Sequence, residues 1–159
     1  MITKKGLSKL KDSQKEHILT ALFSAKFKGA KAESGVKFKT KKGDEIRIAT
    51  LLTFEEEDEI VKRIFVFLEE SNDIISKFDI DEIIKITEKL EKLGEFKPKR
   101  DEFWAITNQK WTFEAYGYSS GKIALLGLDT VIRGIEKHYE GQNKFSRKLR
   151  DTLRHYGFD

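Results

Sequence analysis

One stretch of this chain leaves little freedom in how it can fold. Val36, Phe38 and Thr40 alternate with Lys37, Lys39 and Lys41, Lys42-Gly43-Asp44 supplies a turn, and Ile46, Ile48, Thr50 and Leu52 resume the same period of two. An apolar residue at every second position matches the pleat of a strand and not the 3.6-residue turn of a helix, so these residues predict a β-hairpin with a lysine-rich outer face. A lone hairpin is marginal in water. Its apolar face must therefore be covered by the rest of the chain.

Helical signals supply the cover. Ser13 and Glu16 have capping-box spacing ahead of Ile18, Ala21, Leu22 and Ala25, with Gly29 as a stop, which predicts a helix over 13–28. Thr53 and Glu56 repeat that spacing before Ile60, Val61, Ile64, Phe65 and Leu68, predicting a helix over 54–70 whose first turns hold Glu55–Glu59, where the helix dipole favours acids. Asp79 and Glu82 precede Ile83, Ile86, Leu90 and Leu93, predicting a helix over 80–93. Two closing helices follow from Ile132, Ile135 and Tyr139, and from Phe145, Leu149, Leu153 and Tyr156 after Asn143.

Between them lie Pro98, the single proline, and two aromatic runs, Phe103–Thr107 and Lys110–Tyr118, which read as a second hairpin. The segment 121–128 is short and apolar, open to strand or helix. The expected class is α+β, two antiparallel β-hairpins with about five helices packed on the sheet. A chain of 159 residues fits a single domain, 1–159, with a half-boundary near 94–100.

The chain has no cysteine, which removes disulfides, thiolate zinc sites and a cysteine nucleophile together and suits a cytoplasmic setting. No apolar run approaches the roughly 20 residues that span a bilayer. No membrane association is expected.

Charge is sorted along the chain. Residues 1–54 carry 13 Lys/Arg against 5 Asp/Glu, residues 55–96 carry 6 against 14, and residues 97–159 carry 12 against 8. Such blocks can present surfaces of opposite sign to different partners. The candidate contact residues are the hairpin cations Lys37, Lys39, Lys41, Lys42 and Arg47, the acids Glu55, Glu56, Glu57 and Asp58, the aromatics Trp111, Tyr116 and Tyr118, and Arg147, Lys148, Arg150 and Arg154 on the last helix. Ammonium and guanidinium groups spaced along a ribbon or helix suit successive phosphates. Exposed Tyr and Trp suit base stacking or an interface.

Catalytic patterns are weak. Gly117 to Gly121-Lys122 has three spacers where a phosphate loop needs four, with Ile123 in place of the hydroxyl residue. His138 with Glu136 and Glu140, the Asp151/His155 pair and His17 give no converging set, so no metal, cofactor or catalytic residue is expected. Glu95-Phe96-Lys97 matches the E-x-K tail of restriction-type nuclease sites, in which an upstream acid and the glutamate hold magnesium. Such a tail ordinarily lies on a strand, and this one abuts Pro98.

The segments KKGDEIRIATLLTFEEEDEI (41–60) and KWTFEAYGYSSGKIALLGLD (110–129), with the cysteine-free Lys/Glu/Ile/Phe-rich composition, resemble small phage-encoded anti-CRISPR proteins of Gram-positive bacteria that inhibit Cas9. The resemblance implies a protein that binds the effector nuclease in the host cytoplasm and blocks DNA loading or nuclease-domain movement, without chemistry of its own. The expected function is thus a non-catalytic protein-binding inhibitor or regulator of a nucleic-acid-processing enzyme. The alternatives are a DNA- or RNA-binding module using the lysine hairpin and the Arg-rich last helix, and a small metal-dependent nuclease.

Overall fold

The computed structural model describes residues 2–158 apart from residue 120 and the side chain of Tyr118. Six helices and five strands follow in the order α1 (Lys4–Ser8), α2 (Asp12–Lys26), β1 (Lys31–Lys39), β2 (Glu45–Glu56), β3 (Glu59–Glu69), α3 (Lys77–Lys92), β4 (Glu102–Thr107), α4 (Phe113–Ser119), β5 (Ala124–Gly127), α5 (Leu128–Tyr139) and α6 (Lys144–His155). The strands form one sheet in sequence order. Pairing is antiparallel for β1–β2 and β2–β3 and parallel for β3–β4 and β4–β5.

The hairpin at 36–52 forms as its alternation requires, with Lys37 opposite Arg47 and Val36 opposite Ile48. The expected helix over 54–70 is instead β3, joined to β2 by a two-residue turn. Glu57 and Asp58 both take left-handed backbone, at φ 52° and 67°, the conformation of the turns that match strand twist. Ile60, Ile64 and Leu68 are spaced as a helix face would have them, but Ile64, Phe65 and Val66 are all buried, 64 and 66 toward one face of the sheet and 65 toward the other. A continuous β-branched and aromatic run is what a strand covered on both faces needs. The acids Glu55–Glu59 therefore do not cap a helix; they crown a hairpin.

The second expected hairpin is also corrected. Both edges of β4 are taken by parallel neighbours, so Trp111 makes only a single bridge to Ile75. Thr112 then accepts from Ala115 N at 3.0 Å and starts α4. The sheet is consequently mixed: its antiparallel part is the β1–β2–β3 meander, and β4 and β5 add to it in parallel.

Helices cover both faces. Ile18, Leu22, Leu52, Val66, Ile106 and Leu149 join α2, α5 and α6 to one face; Ile48, Phe65, Ile83, Leu90 and Phe103 join α3 to the other. Each such side chain contributes roughly 1.5–3 kcal/mol of apolar burial. Helix α2 begins at Lys11, whose N–H donates to Gln14 Oε1 at 2.9 Å, rather than at the Ser13–Glu16 pair. Ser76 with Asp79 starts α3 one turn earlier than expected. These shifts leave Glu16 free to point at the sheet.

Candidate functional site

Three strands end at one level: Glu69, Thr107 and Gly127 are register partners across β3, β4 and β5. The crevice beyond the carboxyl ends of parallel strands is where open sheets bind their ligands. Here two loops are fastened together over it. Ser71 N donates to Asn108 Oδ1 at 3.0 Å, Asn108 Nδ2 and Gln109 Nε2 donate to Ser71 O at 3.1 and 3.3 Å, and Ile75 N donates to Lys110 O at 2.8 Å. The result is a groove of about 720 Å³ bordered by Lys4, Asn72, Asp73, Lys110, Trp111 and Asp129. Lys4 and Asp129 pair at 2.8 Å.

Helix α2 anchors this end through two neighbouring charges. Lys15 is buried and paired with Glu70, just past β3. Glu16, its side chain 4% exposed, receives Arg47 Nε and Nη2 at 2.6 Å each, a bidentate pair that ties α2 to β2. Gly35 makes room for it: at φ 58° a Cβ there would stand 3.2 Å from both Arg47 Nη2 and Glu16 Oε1. Hydrogen bonding to Glu16 holds Arg47 protonated still more firmly than usual. Burial, and then the charge of Asp79, pushes the Glu69 carboxyl above the usual range.

Several expected contact residues gather at this end. Lys37, Lys39, Lys41 and Lys42 are exposed on the hairpin, only Lys37 being paired, with Glu45 at 3.5 Å. Helix α1 is brought to the same end by Leu7 and Ser8, which border a small cavity with Lys15, Glu70 and Asn108. Lys5, Lys9 and Lys11 come with it. Lys5, Lys9, Lys11, Lys39, Lys41, Lys42 and Lys110 have no carboxylate within ion-pair distance among the described residues.

Others are placed differently. Arg47 is spent on Glu16. Arg150 folds back to donate to the carbonyls of Tyr139 and Gly141, at 2.7 Å for Gly141, and so caps the end of α5. Arg147, Lys148 and Arg154 are exposed on α6, with Lys148 across a groove from Ser34. Trp111 is half-buried and its ring meets Gly127, so it packs more than it presents. Tyr116 is exposed on α4; the Tyr118 side chain lies outside the described residues. Glu55, Glu56, Glu57 and Asp58 stand exposed at the other end of the sheet, with Glu56 opposite Glu59.

That other end has a groove of about 830 Å³ beside the start of β4, but its charges are largely paired internally. Lys62 pairs with Glu102, and Arg100 clamps Asp101 through Nε and Nη2 at 2.8 and 3.1 Å. The buried Asp101 carboxylate also accepts Arg63 N at 2.8 Å and Lys97 N at 2.9 Å. Burial alone would raise its pKa; Arg100 and the two amides outweigh it and hold the group below its ordinary value.

The Glu95-Phe96-Lys97 tripeptide lies in the loop between α3 and β4, not on a strand. Phe96 is buried against Phe65 and Phe103, and Glu95 accepts from Arg63 Nη1 at 3.0 Å. His17 Nδ1 meets the Tyr156 hydroxyl at 2.5 Å, and burial followed by nearby lysines lowers the His138 pKa. Among the described residues no three His, Asp or Glu side chains form a group that could hold a metal ion. No helix among them is long and apolar enough to cross a membrane.

Sequence reasoning missed Lys15, Glu70, Asn108, Gln109 and Lys110. Their relations span 55 residues for Lys15–Glu70 and 37 for Ser71–Asn108, and the only local signal was a polar Asn-Gln-Lys run directly after a strand.

No family model matches the chain, and no curated protein matches it in sequence. Similar folds occur among solved structures. One is a protein of unknown function, AF1548, 16% identical with a TM-score of 0.56 over 92% of this chain and 96% of that one. Another is the MspJI restriction endonuclease in complex with a 27-mer oligonucleotide, 11% identical with a TM-score of 0.57 over 97% of this chain. The match spans 34% of the endonuclease chain. At these identities the likeness is one of fold. Neither is described as an inhibitor of Cas9.

Proposed function

We propose that this protein binds nucleic acid through the end of the sheet where β3, β4 and β5 finish. The observation that carries the reading is the set of lysines without an ion-pair partner among the described residues, on and after α1, on the β1–β2 hairpin and in the loop after β4, all at the end of the sheet where β3–β5 finish. Each ammonium that meets a phosphate releases counterions, so affinity comes from their number and falls with salt. The shared fold with an endonuclease solved on an oligonucleotide supports the reading, as does a sequence pI near 9.1. The role is binding rather than cutting: of the acids at this end Glu70 is engaged by Lys15, Glu16 by Arg47 and Asp129 by Lys4, while Asp73 accepts from Ile74 N.

Fluorescence anisotropy with labelled DNA and RNA tests this. If all seven lysines reach phosphates, log affinity falls against log salt with a slope of about −6, roughly four-thousandfold between about 50 and 200 mM. Absence of binding at low salt overturns the proposal.

A second reading, a protein-binding inhibitor of a nucleic-acid enzyme, is favoured by the Glu55–Glu59 hairpin tip. Five adjacent acids, without an ion-pair partner among the described residues, fit a basic partner surface. Capture of such an enzyme by this chain, abolished by neutralising Glu55–Glu59, would support it.

A further inference from the structure

The groove rim continues into an aromatic surface that neither reading above uses. Phe113 is 93% exposed, Phe78 83%, Tyr116 58% and Ile74 48%. They stand on adjoining elements: Lys77 reaches Glu114 at 3.9 Å between α3 and α4, and the Ile75–Trp111 bridge sets Ile74 beside the start of α4. At about 200 Å² per ring, the three aromatics alone leave on the order of 450 Å² facing outward, as much as the largest patch of a typical monomer. Their flanks carry both signs, Lys77 and Lys110 against Asp81, Glu82 and Glu114.

We infer that this face is a two-fold interface with a second copy of the chain. A two-fold contact sets the same patch against itself, so it requires an apolar centre and a rim that does not repel its own image. A rim of one sign would fail that test; this mixed rim passes it. The area agrees, since a standard interface takes about 800 Å² from each partner and a homodimer interface is roughly 65% apolar, which asks for about 500 Å². Ile74 and Lys110 also border the groove, so pairing here sets two grooves side by side.

Sedimentation velocity between about 1 and 100 µM tests the inference without any nucleic acid, and its outcome is independent of whether the protein binds one. The expected result is a concentration-dependent species of twice the 18.5 kDa chain mass. Phe78→Asp with Phe113→Asp shifts it to monomer with unchanged circular dichroism, and the milder Phe113→Ser weakens association at least tenfold if the double variant misfolds. Val61→Ser, which alters an exposed apolar residue outside the patch, leaves the dimer intact. A monomer throughout the range, or a dimer indifferent to Phe113, overturns the inference.

Discussion

The two ends of the sheet use charge in opposite ways. At the carboxyl end of β3–β5 Glu16 is drawn inward to Arg47 and the exposed Glu70 is engaged by the buried Lys15, while the lysines of α1, the hairpin and the loop after β4 are left facing water. At the other end Asp101 is drawn inward beneath Arg100 while Glu55–Glu59 face out on the hairpin tip. The sign of each surface is thus set by which partner the fold consumes. Net charge along the sequence reports the sum of both, and so understates either.

The contrast can be broken from the inside first. Asp101→Ala leaves Arg100 and two backbone amides without their acceptor and is expected to cost about 3–5 kcal/mol, read by urea denaturation. Because Asp101 titrates lower in the fold than its ordinary 3.8, its contribution is complete above that pH and is lost as pH falls through the folded value. Stability should therefore decline below about pH 4 in the wild type and change less in an Asp101→Asn variant.

Next in size is reversal of the hairpin. Lys39→Glu, Lys41→Glu and Lys42→Glu together should weaken nucleic-acid binding at least a hundredfold and flatten the salt slope by about three, with no change in melting temperature. Gly35→Ala acts on the Glu16–Arg47 pair and on a left-handed backbone at once. An expected loss of about 1–3 kcal/mol, with its largest share erased in a Glu16→Gln background, would assign the strain to that pair.

The smallest effect concerns Glu69. Burial and Asp79 raise its pKa, so the ionised form opposes folding and the protonated form does not. Glu69→Gln should raise the melting temperature at pH 7, and the gain should shrink as pH falls and the wild-type carboxyl takes up its proton.

Local rules made parts of the molecule legible and left others hidden. The 36–52 hairpin was plain because alternation and turn chemistry agreed; α2 and α5 were plain from their apolar period, the cap of α2 lying two residues earlier than expected, and α6 from period and the Asn143 cap together. Residues 54–70 satisfied both a capping box and a strand; burial on both faces decided, and no window of sequence contains that fact. Residues 110–118 looked like a strand, yet β4 had no free edge to offer. The lysines of the hairpin could be read as exposed because they alternate with core residues. That Arg47 and Arg150 are committed inside the protein could not, since Glu16 and Tyr139 become neighbours only in the folded chain.

The claim that one end of the sheet holds nucleic acid is tested most directly by hydrogen–deuterium exchange with and without a saturating DNA or RNA oligonucleotide. Slower exchange confined to residues 4–11, 37–44 and 107–112, with 55–59 unchanged, is the result expected. Protection of the acidic β2–β3 turn instead, or of neither end, would contradict it.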